Sequence, residues 1–127
     1  MDTRGLDRMI VVEPDDGLAD CVTRFFSDRY EVTRVGSLGD AEEELRVRPA
    51  RILFAEIDRC SGQHSSLIER IHRDHPRLKI VLTYHADSAK DAWNMTLSAS
   101  ADMLVRKPYG VLEVDKVMRA VDGGGES

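Results

Sequence analysis

Three short runs in this chain are apolar at every position: Met9-Ile10-Val11-Val12, Ile52-Leu53-Phe54-Ala55 and Ile80-Val81-Leu82. Successive side chains of a strand point to opposite faces, so a strand with one wet face alternates apolar and polar residues. A run without polar positions needs cover on both faces. Strands of a parallel sheet flanked by helices have that cover. Met103 to Val105 repeats the pattern, and Tyr30 to Val35, rich in β-branched residues, reads as a further strand.

Helical spacing fills the intervals. Leu18, Cys21, Val22, Phe25 and Phe26 predict one apolar face after the first strand. Cys21 reads as a small core residue there. Asp15 and Asp16 suit the start of that helix, where the dipole favours negative charge. Gly36-Ser37 breaks the next strand, and Ser37 suits the cap of a helix carrying Leu38, Ala41 and Leu45. Asp58 to Ser66 reads as a polar loop. Leu67, Ile68, Ile71 and His75 predict a helix that Pro76 stops. Ala89, Trp93 and Leu97 mark a fourth helix, and Val111, Val114, Val117 and Val121 a last one. Trp93 reads as packing under its helix or as part of a partner surface. Strands alternating with helices, joined by right-handed crossovers, give a doubly wound five-stranded parallel sheet. One domain is expected over residues 1–122, with 123–127 as a flexible Gly-rich tail.

Charge and cysteine content narrow the function classes. The net charge is −5 and the basic residues are scattered, which argues against a direct nucleic-acid surface. No apolar run approaches membrane-spanning length and the N-terminus has no apolar signal core, so no membrane association and a cytoplasmic location are expected. Two cysteines, Cys21 and Cys60, are too few for a disulfide framework. His72 and His75 have metal-ligand spacing but no evident third ligand, so they read as a solvated helix end.

In a doubly wound sheet, functional groups collect at the carboxyl ends of the strands. Here those positions hold Glu13, Glu56, Thr83 and Lys107. With the stretches IVVEPDD, ILFAEI, IVLTY and SASADMLVRKPY in order, the chain resembles the receiver domain of bacterial two-component response regulators, from about Met9 to Val121. Lys107-Pro108-Tyr109, behind Ala101-Asp102, is the most specific piece. The resemblance implies the (βα)5, flavodoxin-like receiver fold and a place in a phosphorelay rather than an enzyme activity of its own. It implies protein partners: a histidine kinase, an output domain or another signalling protein. It also implies a homodimer or partner contact through the last two helices and the fifth strand, and a cis Lys107–Pro108 bond.

Receivers accept a phosphoryl group on an aspartate ending the third strand. Mg²⁺ offsets the repulsion between carboxylate and phosphoryl group, and a lysine assists. By the resemblance, Thr83 stands at the switch hydroxyl and Lys107 at the lysine. The remaining positions depart from the pattern. Glu56 replaces the phosphoacceptor aspartate. Glu13 keeps the first acid of the metal-binding pair, but Pro14 replaces the second, and proline offers only its carbonyl. Leu104 replaces the switch aromatic. One added methylene moves the Glu56 carboxylate by about 1.5 Å, and misplacement of about 1 Å can cost roughly 100-fold in rate.

The expectation is therefore an atypical receiver, or pseudo-receiver, with no cofactor and with Mg²⁺ binding weak or absent. Glu56 would supply a fixed charge, pairing with Lys107 or accepting a hydrogen bond from Thr83. A bland version makes Glu56 a strand-end acid paired with Lys107 and nothing more. Asp15 has a second reading as a substitute metal ligand. An alternative keeps phosphoryl transfer, with Glu56 or Asp58 as acceptor. A reading from another class is a small flavodoxin-like cofactor binder, disfavoured because the acidic turn Glu13-Pro14-Asp15-Asp16 repels phosphate.

Overall fold

A computed structural model describes residues 6–56, 62–85, 100–107 and 109–122. Five strands form one parallel sheet: β1 (Asp7–Val12), β2 (Tyr30–Val35), β3 (Ile52–Glu56), β4 (Lys79–His85) and β5 (Met103–Lys107), in the order β2-β1-β3-β4-β5. Helices α1 (Asp16–Phe26), α2 (Leu38–Val47), α3 (Gly62–Asp74) and α4 (Val111–Asp122) are described. The helix expected around Ala89, Trp93 and Leu97 lies outside the described residues, as do Asp58, Cys60 and Pro108.

The apolar runs divide by parity, as their two-sided burial requires. Ile10, Val12, Leu53, Ala55, Ile80 and Leu82 pack with Leu38, Ala41 and Leu45 of α2 and with Ile68 and Ile71 of α3. Met9, Val11, Ile52, Phe54 and Val81 face the other way, against Val22 and Phe26 of α1 and Val114 and Met118 of α4. Each layer is closed by residues the helical spacing marks, with Met118 added. Asp102 fastens β4 to the approach of β5. Its backbone N–H donates to the Ile80 carbonyl at 2.8 Å, and one of its carboxylate oxygens accepts from the Ile80 N–H at 2.8 Å.

Two expectations need correction. Cys21 is exposed, not a core residue. The buried stripe of α1 is Ala19, Val22 and Phe26, spaced three and four apart, and Cys21 falls about a quarter-turn off it. Phe25 is likewise 36% exposed. The second correction concerns α3, which starts at Gly62 and so takes in residues 62–66 of the expected polar loop. That stretch, GQHSS, has no apolar residue to display helical spacing.

Candidate functional site at the carboxyl ends of β1 and β3

In the order β2-β1-β3, the chain leaves β1 toward one edge and returns to build β3 on the other side. The crevice between the carboxyl ends of β1 and β3 is therefore the switch point of the sheet. Glu13 directly follows β1 and Glu56 ends β3. Thr83 of β4 is in register with Glu56 on one side and with Val105 on the other. The sheet thus gathers Glu13, Glu56 and Thr83 at one end. Lys107 closes β5 in register with His85.

Glu13 is almost fully buried, at 2% exposure. A buried carboxylate needs donors on its oxygens, and both oxygens have one. The Tyr109 hydroxyl donates to Oε1 at 2.9 Å. The Asp15 backbone N–H donates to Oε2 at 3.0 Å. The backbone carbonyl of Glu13 accepts from Arg34 of β2, from Nη2 at 2.6 Å and Nε at 3.2 Å. Arg34 Nη1 also pairs with Asp16 at 2.9 Å, tying the end of β2 to the acidic turn.

Pro14 sits between these anchors. Asp15 is the N-cap of α1, its Oδ1 accepting from the Leu18 N–H at 2.9 Å. The helix-starting reading of Asp15 holds, and that oxygen is engaged in capping. Among the described residues, no three His, Cys, Asp or Glu side chains converge as a metal-ligand group, His72 and His75 included.

Tyr109 belongs to the site as much as the acids do. It is 7% exposed and packs edge-on against Phe54, with centroids 5.7 Å apart and planes at 86°. Burial pushes its phenol far above the usual value. The hydrogen bond to Glu13 and the charges of Glu13, Glu56 and Asp15 push in the same direction. The hydroxyl is therefore a fixed donor facing an acidic pocket. Thr83 is fully buried, and its Oγ1 has no hydrogen-bond partner among the described residues. The proposed Thr83-to-Glu56 hydrogen bond is not made. Leu104 is half-buried against the layer that holds Leu82. Of Lys107 the strand position is described, and the Lys107–Pro108 bond falls outside the described residues.

Sequence reading missed two members of this site. Tyr109 was visible as the aromatic of Lys-Pro-aromatic, but a hydroxyl aimed at Glu13 has no local signature, because the pair is 96 residues apart. Arg34 had a fainter signal. It is a charged residue near the end of a strand whose partner strand runs into an acidic turn.

This arrangement of sheet and helices is shared with solved structures. A response regulator receiver domain protein (CheY-like) from Methanospirillum hungatei superposes with a TM-score of 0.76 at 20% identity, over 95% of this chain and 98% of that one. The chain has the receiver fold. A response regulator from Thermotoga maritima matches with a TM-score of 0.71 at 22% identity, over 96% of this chain and 99% of that one. An orphan response regulator of H. pylori matches at 0.77 and 16% identity, over 90% and 94%. No protein-family model and no curated protein matches the chain. The crevice holding Glu13, Glu56 and Thr83 lies at the carboxyl end of this sheet, at its switch point. No helix among the described residues is long and apolar enough to cross a membrane.

Proposed function

We propose that this chain is a receiver-like signalling domain that acts by protein contact, without phosphorylation and without an enzyme activity of its own. The observation that carries this reading is the state of Glu13. Both oxygens of this remaining acid of the pair are bound by the protein's own donors, and its neighbour is Pro14. Such a donor set fits Mg²⁺ poorly: each Glu13 oxygen already accepts a hydrogen bond, and Pro14 offers this hard cation no second carboxylate. Without a cation, a phosphoryl donor approaching Glu56 meets the negative charges of Glu13, Glu56 and Asp15. Glu56 then serves as a permanent charge at the phosphoacceptor position, with Lys107 as its proposed partner. Thr83 and Leu104 occupy the switch positions without the usual hydroxyl-to-aromatic coupling. The working unit is residues 1–122, followed by a 123–127 tail, in the cytoplasm. Its partners are a histidine kinase, an output domain or a second copy, met through β5, α4 and the segment before β5.

One observation favours phosphoryl transfer to Glu56 or Asp58 instead. The buried Thr83 hydroxyl lacks a partner among the described residues, and a phosphoryl oxygen would satisfy it. Intact-mass spectra after acetyl phosphate treatment separate the readings. Wild type, Glu56→Asp and Pro14→Asp are each expected to stay unmodified. The double variant should acquire a detectable adduct that exceeds the sum of the singles, since two groups serving one transition state do not act additively. An adduct on the wild type, mapped to Glu56 or Asp58, would overturn the proposal.

A further inference from the structure

Pro14 and Glu56 are departures visible in the chain itself. The Tyr109 hydroxyl adds a feature whose effect shows only in three dimensions. We propose that Tyr109 is a built-in replacement for a divalent cation: its hydroxyl takes the Glu13 oxygen that a metal ion would need, and holds the acidic pocket closed in one state. This inference deepens the reading of the site as phosphorylation-independent and rests on it.

The geometry supports the assignment in two ways. First, the contact is placed where a cation would act. Oε1 of Glu13 accepts from Tyr109 at 2.9 Å, while Oε2 is held by the Asp15 N–H, so neither oxygen is without a donor. Second, the donor is fixed. Tyr109 is 7% exposed, its ring rests edge-on against Phe54, and Gly110 directly after it accepts the first backbone hydrogen bonds of α4 at 3.1 Å. A hydroxyl mounted on a core aromatic at a helix entry loses little freedom in making the bond. A metal ion ligated by Oε1 competes with the Tyr109 hydroxyl for that oxygen, and displacing the hydroxyl leaves it buried without its acceptor. A hydrogen bond to a charged acceptor corresponds to a factor of about 10- to 100-fold in an equilibrium constant. Tyr109 also joins the start of α4 to the end of β1. The same bond that excludes the cation fixes the last helix relative to the acidic turn.

The test measures cation binding, not phosphorylation, so the two ideas can fail separately. Mn²⁺, a hard divalent ion that prefers oxygen ligands, is titrated against four proteins, with free Mn²⁺ read by electron paramagnetic resonance. They are wild type, Pro14→Asp, Tyr109→Phe and Pro14→Asp/Tyr109→Phe. Phenylalanine keeps the ring against Phe54 and removes only the hydroxyl. Pro14→Asp supplies the missing acid but leaves Tyr109 in place, so it should bind weakly. Adding Tyr109→Phe should tighten Mn²⁺ binding by at least about 10-fold over Pro14→Asp. Equal affinity of Pro14→Asp and the double variant would overturn the inference. A second measurement uses the unaltered protein. Millimolar Mg²⁺ should leave the Tyr109 ring and Asp15 amide resonances in place. Shifts at both positions would mean that the cation displaces the hydroxyl, and would overturn the inference even if the Tyr109→Phe variants fail to fold. An acetyl phosphate adduct on wild type would instead overturn the phosphorylation-independent reading.

Discussion

Arg8 lies in the first strand, yet its guanidinium works for a helix. It is 7% exposed and pairs with Glu44 of α2. Its Nη1 also donates to the backbone carbonyls of Arg48 at 3.0 Å and Glu44 at 3.3 Å. The last carbonyls of a helix have no partner within it, so Arg8 closes the end of α2 from the sheet. Its Nε is buried without a partner among the described residues, a cost that the other contacts offset. Arg8→Met should lower unfolding free energy by about 2–4 kcal/mol, because it removes the ion pair of Glu44 and the donor of the Arg48 carbonyl, while the Glu44 carbonyl keeps the Arg48 N–H. Glu44→Gln should cost less, since Arg8 keeps its carbonyls. The exposed pair Arg46–Glu43 should contribute no more than about 1 kcal/mol. Urea unfolding of the variants checks all three. A loss for Arg8→Met as small as that of the surface pair would contradict this account. Nothing in DRMIVV advertises the role, because Arg8 stands next to an apolar run and its partners lie 36 and 40 residues away.

At the scale of elements, two helix starts were legible and one was not. Asp15 and Ser37 each cap a helix as their position before an apolar stripe implies, through the Leu18 N–H at 2.9 Å and the Asp40 N–H at 3.1 Å. Asp15→Ala and Ser37→Ala should each cost about 1 kcal/mol, read from thermal melts fitted to a two-state transition. Asp15→Asn should recover most of the first loss, since an amide oxygen caps as well as a carboxylate. The opening of α3 escaped because residues 62–66 are polar or glycine and carry no stripe. The face of α1 was drawn too wide for a related reason. Six apolar residues crowd into nine positions there, and only Ala19, Val22 and Phe26 are fully buried. Strand positions fared better, because an all-apolar run fixes burial on both faces whatever its partners are. The candidate site was legible where it follows from strand ends, at Glu13, Glu56 and Thr83. It was illegible where it depends on a side chain arriving from a distant element, at Tyr109 and Arg34.

At the scale of the whole molecule, several carboxylates among the described residues are tied to arginines, some from other elements and some from their own helix. Arg48 holds Glu31 of β2 below the usual carboxylate range through a hydrogen bond, and Arg70 of α3 does the same for Glu42 of α2. Asp115 of α4 is lowered by Arg119 and then by Arg29, which follows α1. Each of these acids binds its proton less readily when folded than when unfolded. Their contribution is therefore present above the unfolded carboxylate range, about pH 4, and is lost as pH falls through the lower folded values. Stability measured by urea unfolding should hold steady from neutral pH to about pH 5 and decline below about pH 4. Added salt should shrink the decline, since these groups are close to solvent. A curve flat into strong acid would show that the pairs do not couple to folding.

The bond between Tyr109 and Glu13 spans 96 residues, and that distance has a meaning for a chain made one residue at a time. The β1–β3 pairing becomes available once Glu56 has emerged, and the layer of α2 and α3 can assemble on it soon after. The Tyr109–Glu13 bond cannot form during that period. The buried glutamate lacks the phenol donor, and Phe54 lacks the ring that rests on it. Contacts between distant parts of a chain form late because loop closure has to precede them. The bond that closes the site therefore waits for residue 109, after β1, β3 and β4 are already able to pair.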